Sequence, residues 1–256
     1  MTARPLRRPL RIVQLYPAEM NIYGDHGNAD VLVRRAGWYG FEAQLLAYEP
    51  GDDRSVLETA DLMLGGGGQD SGQGQVVDDL MAAGACLRER ATAGVPMLLV
   101  CGTYQLFGNE FVPAKGAVMP GIGVFDARTV AGPKRLIGNV VIDVPELGRI
   151  VGYENHSGLT MLNAGQAPLG RMVIGAGNNG TDGAEGARSN NVIGTYLHGP
   201  VLPKNPVLSD ELLRLAVRLR YGDDALAPAD REAADEVARI DALAAQARTV
   251  AAGRPR

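Results

Sequence analysis

The chain has 256 residues, a formal net charge of −4 and 46% hydrophobic residues, a composition too apolar for a disordered protein. Its two cysteines exclude a disulfide framework and indicate a reducing compartment, and with only three histidines they argue against a zinc cluster. The mild negative charge argues against a dedicated nucleic-acid binder, while the 34 glycines are nearly twice the average usage of roughly 7%.

In chain order, the apolar pattern alternates between predicted strands and helices. The predicted strands span residues 11–15, 41–48, 61–64, 96–100 and 191–197, and the predicted helices span residues 28–36, 75–93 and 205–221. Short apolar strands that alternate with helices predict an α/β fold, with a mostly parallel sheet and helices on both faces. Residues 114–190 contain short β-type pieces between glycines and asparagines, which predict extra hairpins in the second half.

The same pattern predicts one domain over residues 1–222 and an Ala-rich tail over residues 223–256 that is helical or partly disordered. The N-terminus lacks the apolar stretch of a signal peptide, and no segment approaches the roughly 18 apolar residues of a spanning helix. We therefore expect a cytoplasmic protein without direct membrane insertion.

Cys101 is the candidate nucleophile because it ends the apolar strand Pro96–Val100 and is followed by Gly102 and a predicted helix. A side chain on such a strand-to-helix turn is exposed at the carboxyl edge of the sheet, and a helix N-terminus favours a thiolate. The alternative is a buried structural cysteine. Cys86 lies in the middle of a predicted helix, so we assign it to packing.

A cysteine nucleophile needs a base, and three histidines are available. His198 is preferred because it closes the apolar strand 191–197 and so lies at the same sheet edge as Cys101. His156 also follows a short strand and is the second choice, whereas His26 lies in a polar loop before a helix.

Gly65–Gly68 follows another predicted strand. The run lacks the spacing of a phosphate-binding loop, but its N–H groups are suited to stabilise an oxyanion opposite the N–H of Gly102. We therefore predict Gly67, Gly68 and Gly102 as oxyanion donors, with a flexible turn as the alternative for the run.

Four segments resemble, in order, class I glutamine amidotransferases of the cobyric acid synthase-like branch. They are residues 65–70 (GGGGQD), 100–105 (VCGTYQ), 152–158 (GYENHSG) and 194–199 (GTYLHG). The resemblance implies a flavodoxin-like fold and hydrolysis of L-glutamine to glutamate and ammonia, with Cys101 as nucleophile and His198 as its base. It further implies that Gln105 and Arg135 bind the substrate, although Arg135 also fits an ordinary surface arginine.

Residues 21–28 and 134–139 resemble, within this branch, the stand-alone subunits that feed ammonia to a MurT-like Mur ligase. The resemblance implies a heterodimer that amidates the D-glutamate of lipid II, with lipid II bound by the partner. It implies no cofactor in this chain and assigns ATP, Mg²⁺ and Zn²⁺ to the ligase. The alternatives are a glutaminase for another synthetase, such as one for cobalamin amidation, and a non-catalytic scaffold or regulatory subunit.

Two features of the predicted site have more than one interpretation. Many class I members carry a glutamate two positions after the histidine, but this chain has Pro200 there. The orienting group is then absent, supplied elsewhere in the chain, or supplied by the partner, and the resemblance favours an aspartate of the partner. Glu154 and His156 shape the site or the ammonia path, or else form a structural turn network.

Overall fold

The computed structural model describes residues 8–223 and 225–254. Its strands are β1 (Arg8–Leu15), β2 (Phe41–Tyr48), β3 (Leu62–Gly65), β4 (Met97–Val100), β5 (Glu110–Val112), β6 (Met119–Pro120), β7 (Ala127–Val144), β8 (Gly148–Leu162), β9 (Gly170–Ile174), β10 (Ala184–Glu185), β11 (Ala187–Ser189) and β12 (Val192–Thr195). Its helices are α1 (His26–Trp38), α2 (Ser55–Glu58), α3 (Asp70–Thr92), α4 (Gly102–Leu106), α5 (Val201–Lys204), α6 (Pro206–Tyr221) and α7 (Arg231–Ala252). Within these two ranges, no helix has the length and apolar character needed to cross a membrane.

The first sheet has the strand order β11-β12-β4-β3-β1-β2, and all of its neighbours are parallel except β11 and β12. Every residue of β3 and β4 is buried, as expected for strands covered on both faces. The predicted α/β fold class is confirmed. Because β1, β3, β4 and β12 are parallel, their carboxyl ends lie at the same edge of the sheet.

The second sheet, β10-β9-β7-β5-β6 with β8 paired to β7, contains hairpin structure as predicted for the second half, but its two main strands are longer than the predicted short pieces. β7 and β8 are 18 and 15 residues long and form one antiparallel hairpin. The glycines inside these two strands do not end them. Instead, they allow other segments of the chain to pack closely against the strands. A Cβ atom added to Gly152 would lie 2.8 Å from Leu197 Cβ, and one added to Gly158 would lie 2.3 Å from Gln105 Nε2.

Helix α7 packs on the rest of the chain through contacts with α1, α5, β7 and β8. The buried guanidinium of Arg35 in α1 donates to Asp210 of α6 at 2.6 and 2.7 Å and to Asp241 of α7 at 2.8 Å. These two ion pairs of Arg35 connect α1, α6 and α7. The predicted boundary at residue 222 falls between α6 and α7, and residues 224, 255 and 256 of the predicted tail lie outside the described residues, as do residues 1–7 at the N-terminus.

Candidate active site

Cys101 lies directly after β4 at the carboxyl edge of the first sheet, and its side chain is buried. Its backbone has φ 51° and ψ −101°, a left-handed conformation that is rare and strained for a residue other than glycine. Two contacts hold this turn: the Cys101 N–H donates to Thr195 O at 2.8 Å, and Thr103 Oγ1 donates to Gly66 O at 3.0 Å. The geometry is that of the sharp strand-to-helix turn predicted from the sequence.

His198 follows β12 at the same edge, and its N–H donates to Tyr153 O at 2.7 Å. The ring of Tyr23 packs on the imidazole, with 4.4 Å between ring centroids. Gly67 lies between the two predicted catalytic side chains, since a Cβ atom added there would lie 2.8 Å from His198 Cε1 and 3.3 Å from Cys101 Cβ. The structure therefore brings Cys101 and His198 together around Gly67.

Asp25 is a third buried polar residue beside this pair. It lies in the segment 21–28, for which the sequence predicts no catalytic role. Its Oδ2 lies 3.7 Å from His198 Nδ1 and accepts the Gly67 N–H at 2.7 Å. Burial alone would lower the pKa of His198, but interactions with Cys101 and Asp25 outweigh burial and raise this pKa to about 10. The arrangement favours an imidazolium at neutral pH. The sequence signal that could have identified Asp25 is its position in the segment after β1, because the carboxyl end of β1 lies at the same sheet edge as the site.

The glycine run Gly65–Gly68 is crowded, and none of its four residues has a left-handed φ. This packing differs from the alternative of a flexible turn. The Gly67 N–H is bound to Asp25, which differs from its predicted role as an oxyanion donor. The N–H groups of Gly68 and Gly102 donate no hydrogen bond to any of the residues described, and a Cβ atom added to Gly102 would lie 2.9 Å from Gly68 N. Two adjacent N–H donors thus remain beside Cys101.

A cavity of about 590 Å³ opens beside Cys101 and is lined by predicted substrate residues, including Gln105 and Arg135. The register of the β7–β8 hairpin shifts between Ala131 and Leu136, and Arg135 lies in this interruption. Its guanidinium donates to Tyr23 Oη and to Asn155 Oδ1, each at 3.0 Å. The positive charge is therefore held at the cavity wall.

The amide of Gln105 is buried and bonded at both ends. Gln73 Nε2 donates to Gln105 Oε1 at 2.9 Å, and Gln105 Nε2 donates to Tyr196 Oη at 3.1 Å. Because these partners are protein groups, Gln105 forms a fixed part of the cavity wall.

His156 lines the cavity and stacks on Tyr196, with 3.6 Å between ring centroids. Burial lowers the pKa of His156 to about 4, so its imidazole is neutral at neutral pH, and Nδ1 lies 2.7 Å from Gly158 O. Glu154 lies behind it and accepts hydrogen bonds from the N–H groups of Ala176 and Gly177. Glu154 therefore anchors a loop next to the site, whereas His156 contributes to the cavity wall.

Glu185 is a further buried acid near the site, and the sequence pattern contains no signal for it. Its carboxylate accepts the Tyr196 N–H at 2.7 Å and the Thr195 hydroxyl at 3.0 Å, which fixes the end of β12. Burial raises the pKa of Glu185 to about 7.

Two residues weighed from the sequence lie elsewhere. Cys86 is half-buried in α3 and packs against the core. His26 begins α1, where its Nδ1 lies 2.7 Å from Gln14 Oε1. Over residues 8–223 and 225–254, no group of three or more His, Cys, Asp or Glu side chains is arranged to hold a metal ion.

Comparisons with known proteins identify a matching family, relatives by sequence and a solved structure with a similar fold. The family model of the CobB/CobQ-like glutamine amidotransferase domain matches residues 11–206. The chain is 35% identical over 207 residues to the lipid II isoglutaminyl synthase (glutamine-hydrolyzing) subunit GatD of Staphylococcus aureus, covering 81% of this chain and 84% of that protein. It is 36% identical over 222 residues to the subunit of the same name from Streptococcus pneumoniae, covering 86% of this chain and 85% of that protein. A crystal structure of a glutamine amidotransferase matches with a TM-score of 0.58 and 19% identity, covering 80% of this chain and 98% of that chain, and so shares the fold.

Proposed function

The chain belongs to the CobB/CobQ-like glutamine amidotransferase family, and on this premise we propose that it is the glutaminase subunit of a lipid II-amidating enzyme. In this role it hydrolyses L-glutamine to glutamate and ammonia. The ammonia passes to a MurT-like Mur ligase, which amidates the D-glutamate of lipid II to D-isoglutamine. The observation that carries the proposal is the alignment with more than four fifths of two GatD subunits. The family model spans residues 11–206, which include the residues lining the cavity beside Cys101.

Cys101 is the proposed nucleophile. Its thiolate attacks the carboxamide carbon of glutamine, so that a C–S bond forms and the carbonyl electron pair moves onto oxygen. The N–H groups of Gly68 and Gly102 stabilise this oxyanion. As the tetrahedral intermediate collapses, the His198 imidazolium gives its proton to the leaving nitrogen, and ammonia departs. Water then attacks the thioester while His198 takes up a proton, which releases glutamate and regenerates the thiolate.

Arg135 is the proposed partner of the substrate α-carboxylate. A guanidinium matches the two oxygens of a carboxylate, and Arg135 is already held at the cavity wall by Tyr23 and Asn155. Gln105 also lines this cavity, where its amide is fixed by Gln73 and Tyr196. The neutral imidazole of His156 completes this wall.

The partner performs the ATP-dependent half of the proposed reaction. ATP, Mg²⁺ and Zn²⁺ belong to the Mur ligase in this proposal, as does the lipid II substrate, and the two chains act as a heterodimer. We place the reaction in the cytoplasm, where thiols such as Cys101 stay reduced.

The decisive experiment is co-purification of the chain with a Mur-ligase-like protein, followed by an amidation assay on lipid II. We expect amidation from free ammonia by the ligase alone and amidation from glutamine only when this chain is present. Glutamine hydrolysis with no coupling to lipid II, but with coupling to a cobalamin-type synthetase, would assign the chain to a different partner.

The Cys101→Ser variant tests the chemistry. We expect it to lose glutamine hydrolysis while it still binds the ligase, because the hydroxyl at this position lacks the acidity of a thiol. Ammonia release and complex formation are the two measurements. Cys86→Ser is the matched control and should keep wild-type activity, because Cys86 lies in α3. Glutaminase activity retained by Cys101→Ser would contradict the mechanism.

A further inference from the structure

We propose that Gln73 is a positioning residue for the oxyanion donors beside Cys101. It lies in the first turn of α3, directly after the glycine run that ends at Gly68, and its side chain bonds the carbonyl of Gly102. The inference rests on the proposed function and assigns a role to a residue outside the sequence motifs of the site. Gln73 is 1% exposed and lines the cavity beside Cys101.

The first observation is that the two donors lie on separate segments. Gly68 follows β3, whereas Gly102 begins α4 after β4. A Cβ atom added to Gly102 would lie 2.9 Å from Gly68 N and 3.4 Å from Gln73 Cδ, so the Gly102 backbone lies against both groups. Preorganised donors stabilise an oxyanion only when their spacing is fixed before the reaction. Thr103 joins the two segments at Gly66, and Gln73 joins them at the donors themselves.

The second observation is the direction of the hydrogen bonds around Gln73. Its Nε2 donates to Gly102 O at 3.2 Å and to Gln105 Oε1 at 2.9 Å, which uses both N–H groups of the amide. A backbone carbonyl can only accept, so the reversed amide would place Gln73 Oε1 against Gly102 O, and the two oxygens would repel. Gly102 O therefore sets the orientation of the Gln73 amide, and the bond to Gln105 holds the amide in that orientation.

The third observation is that the hydrogen-bond network behind Gln73 is buried and continuous. Gln105 Nε2 donates to Tyr196 Oη at 3.1 Å, and Tyr196 Oη lies 2.7 Å from Thr160 Oγ1 on β8. Because Tyr196 Oη accepts from Gln105, its own proton is available to Thr160. The bonds thus run from the second sheet to the strand-to-helix turn, and fully satisfied buried networks make a site rigid. Gln73 is the member of this network that holds Gly102.

The test compares Gln73→Met with Gln75→Met, an identical change at an exposed position of α3. Methionine keeps the length of the side chain and removes both donors, so Gly102 O loses the bond from Gln73. We expect kcat for glutamine to fall by about 10- to 10²-fold, since loss of one oxyanion donor costs roughly 10²–10³-fold and a displaced donor costs less. The change in KM should be smaller, because Tyr196 still holds Gln105. Gln75→Met should match the wild type.

Alkylation of Cys101 by iodoacetamide separates this role from general damage to the site. The thiolate attacks an sp³ carbon and iodide leaves, so the reaction forms no oxyanion. Peptide mass spectrometry follows the modification at Cys101. A folded Gln73→Met variant with reduced kcat and a wild-type alkylation rate supports the proposal. A wild-type kcat overturns it, and so does a loss of kcat matched by an equal loss of alkylation, because the nucleophile itself would then be disturbed.

An aldehyde adduct measures the same donors without turnover. 5-Oxopentanoate has the carboxylate and the carbon chain of glutamine, with an aldehyde in place of the carboxamide. Its addition to Cys101 forms a C–S bond, and the carbonyl oxygen takes up the thiol proton beside Gly68 and Gly102. We expect the dissociation constant of the adduct, measured by carbon NMR, to rise by about tenfold in Gln73→Met. An unchanged constant overturns the proposal.

The adduct also distinguishes failure of this inference from failure of the proposed function. A weaker adduct in Gln73→Met, in a chain that hydrolyses no glutamine alone or with the ligase, would refute the proposed function and support the role of Gln73.

Gln73→Glu decides the case if Gln73→Met does not fold, because glutamate keeps the shape and polarity of the side chain. Its carboxylate has no donor for Gly102 O or Gln105 Oε1, whereas the protonated carboxyl keeps one donor. We expect kcat relative to the wild type to fall as pH rises, while the same ratio for Gln75→Glu stays constant. A constant ratio for Gln73→Glu would contradict the proposal.

Discussion

Gly67→Ala tests whether the close approach of Cys101 and His198 governs turnover. A methyl group at residue 67 would lie 2.8 Å from His198 Cε1, whereas carbon atoms in contact prefer about 3.5–4.0 Å, so the ring must move by roughly 0.7 Å or more. Tyr23 packs on the imidazole and limits its movement. A misplacement of about 1 Å reduces turnover by roughly 10²-fold. We therefore expect kcat for glutamine hydrolysis to fall by about tenfold to a hundredfold.

The assay is steady-state glutamine hydrolysis, with thermal unfolding to confirm that the variant is folded. Gly74→Ala is the control, because a Cβ atom added at Gly74 meets nothing within 4 Å and alanine stabilises a helix interior by about 1 kcal/mol relative to glycine. A folded Gly67→Ala variant with wild-type kcat would refute the view that His198 works from its position against Gly67.

Two further predictions concern substrate binding and pH. Arg135→Ala should raise KM for glutamine by about 10- to 10²-fold with a smaller change in kcat, because hydrogen bonds to charged groups contribute about 1.5–3 kcal/mol. Steady-state kinetics measure both constants. An unchanged KM would contradict the prediction. Glu185→Gln should gain stability relative to the wild type as pH rises, because the folded-state pKa of about 7 lies above the usual 4.5. Folding therefore favours the protonated carboxyl of Glu185. Its contribution to the free energy of unfolding is fully present below pH 4.5, and about 3 kcal/mol of that contribution is lost as pH rises through 7. Urea unfolding of both proteins at pH 5 and pH 8 measures the difference, and an equal difference at both pH values would contradict the prediction.

The first sheet and its chemical edge were predictable because its strands are short, apolar and bounded by clear turn residues. Periodicity identified β3, β4 and β12 to within a few residues, and the strand-end rule then brought Cys101 and His198 to the same edge. The helix α3 begins at Asp70 rather than at residue 75, since its first turn is polar and glycine-containing and shows no apolar periodicity.

Asp25 and Glu185 were not predictable in the same way. Asp25 lies 173 positions from His198 in the sequence. Glu185 binds Tyr196 from β10, a strand of the second sheet. Asp25 lies in the segment 21–28 after β1, but nothing in that segment's spacing places its carboxylate beside His198. Glu185 stands in no spacing that distinguishes it from an ordinary surface carboxylate. The occupation of the Gly67 N–H follows from the same limit, because only the folded chain brings Asp25 to the glycine run.

The glycines separate into two physical groups that composition cannot distinguish. Gly148 and Gly165 have left-handed φ values and nothing within 4 Å of an added Cβ, so they serve turn geometry, where a side chain is strained whatever the space. Gly67 and Gly158 have no such φ, yet an added Cβ would meet His198 or Gln105 at less than 3 Å. At these positions glycine excludes a side chain from a crowded site. Substitution should therefore damage catalysis at the second group and stability at the first, although the sequence presents the same residue at both.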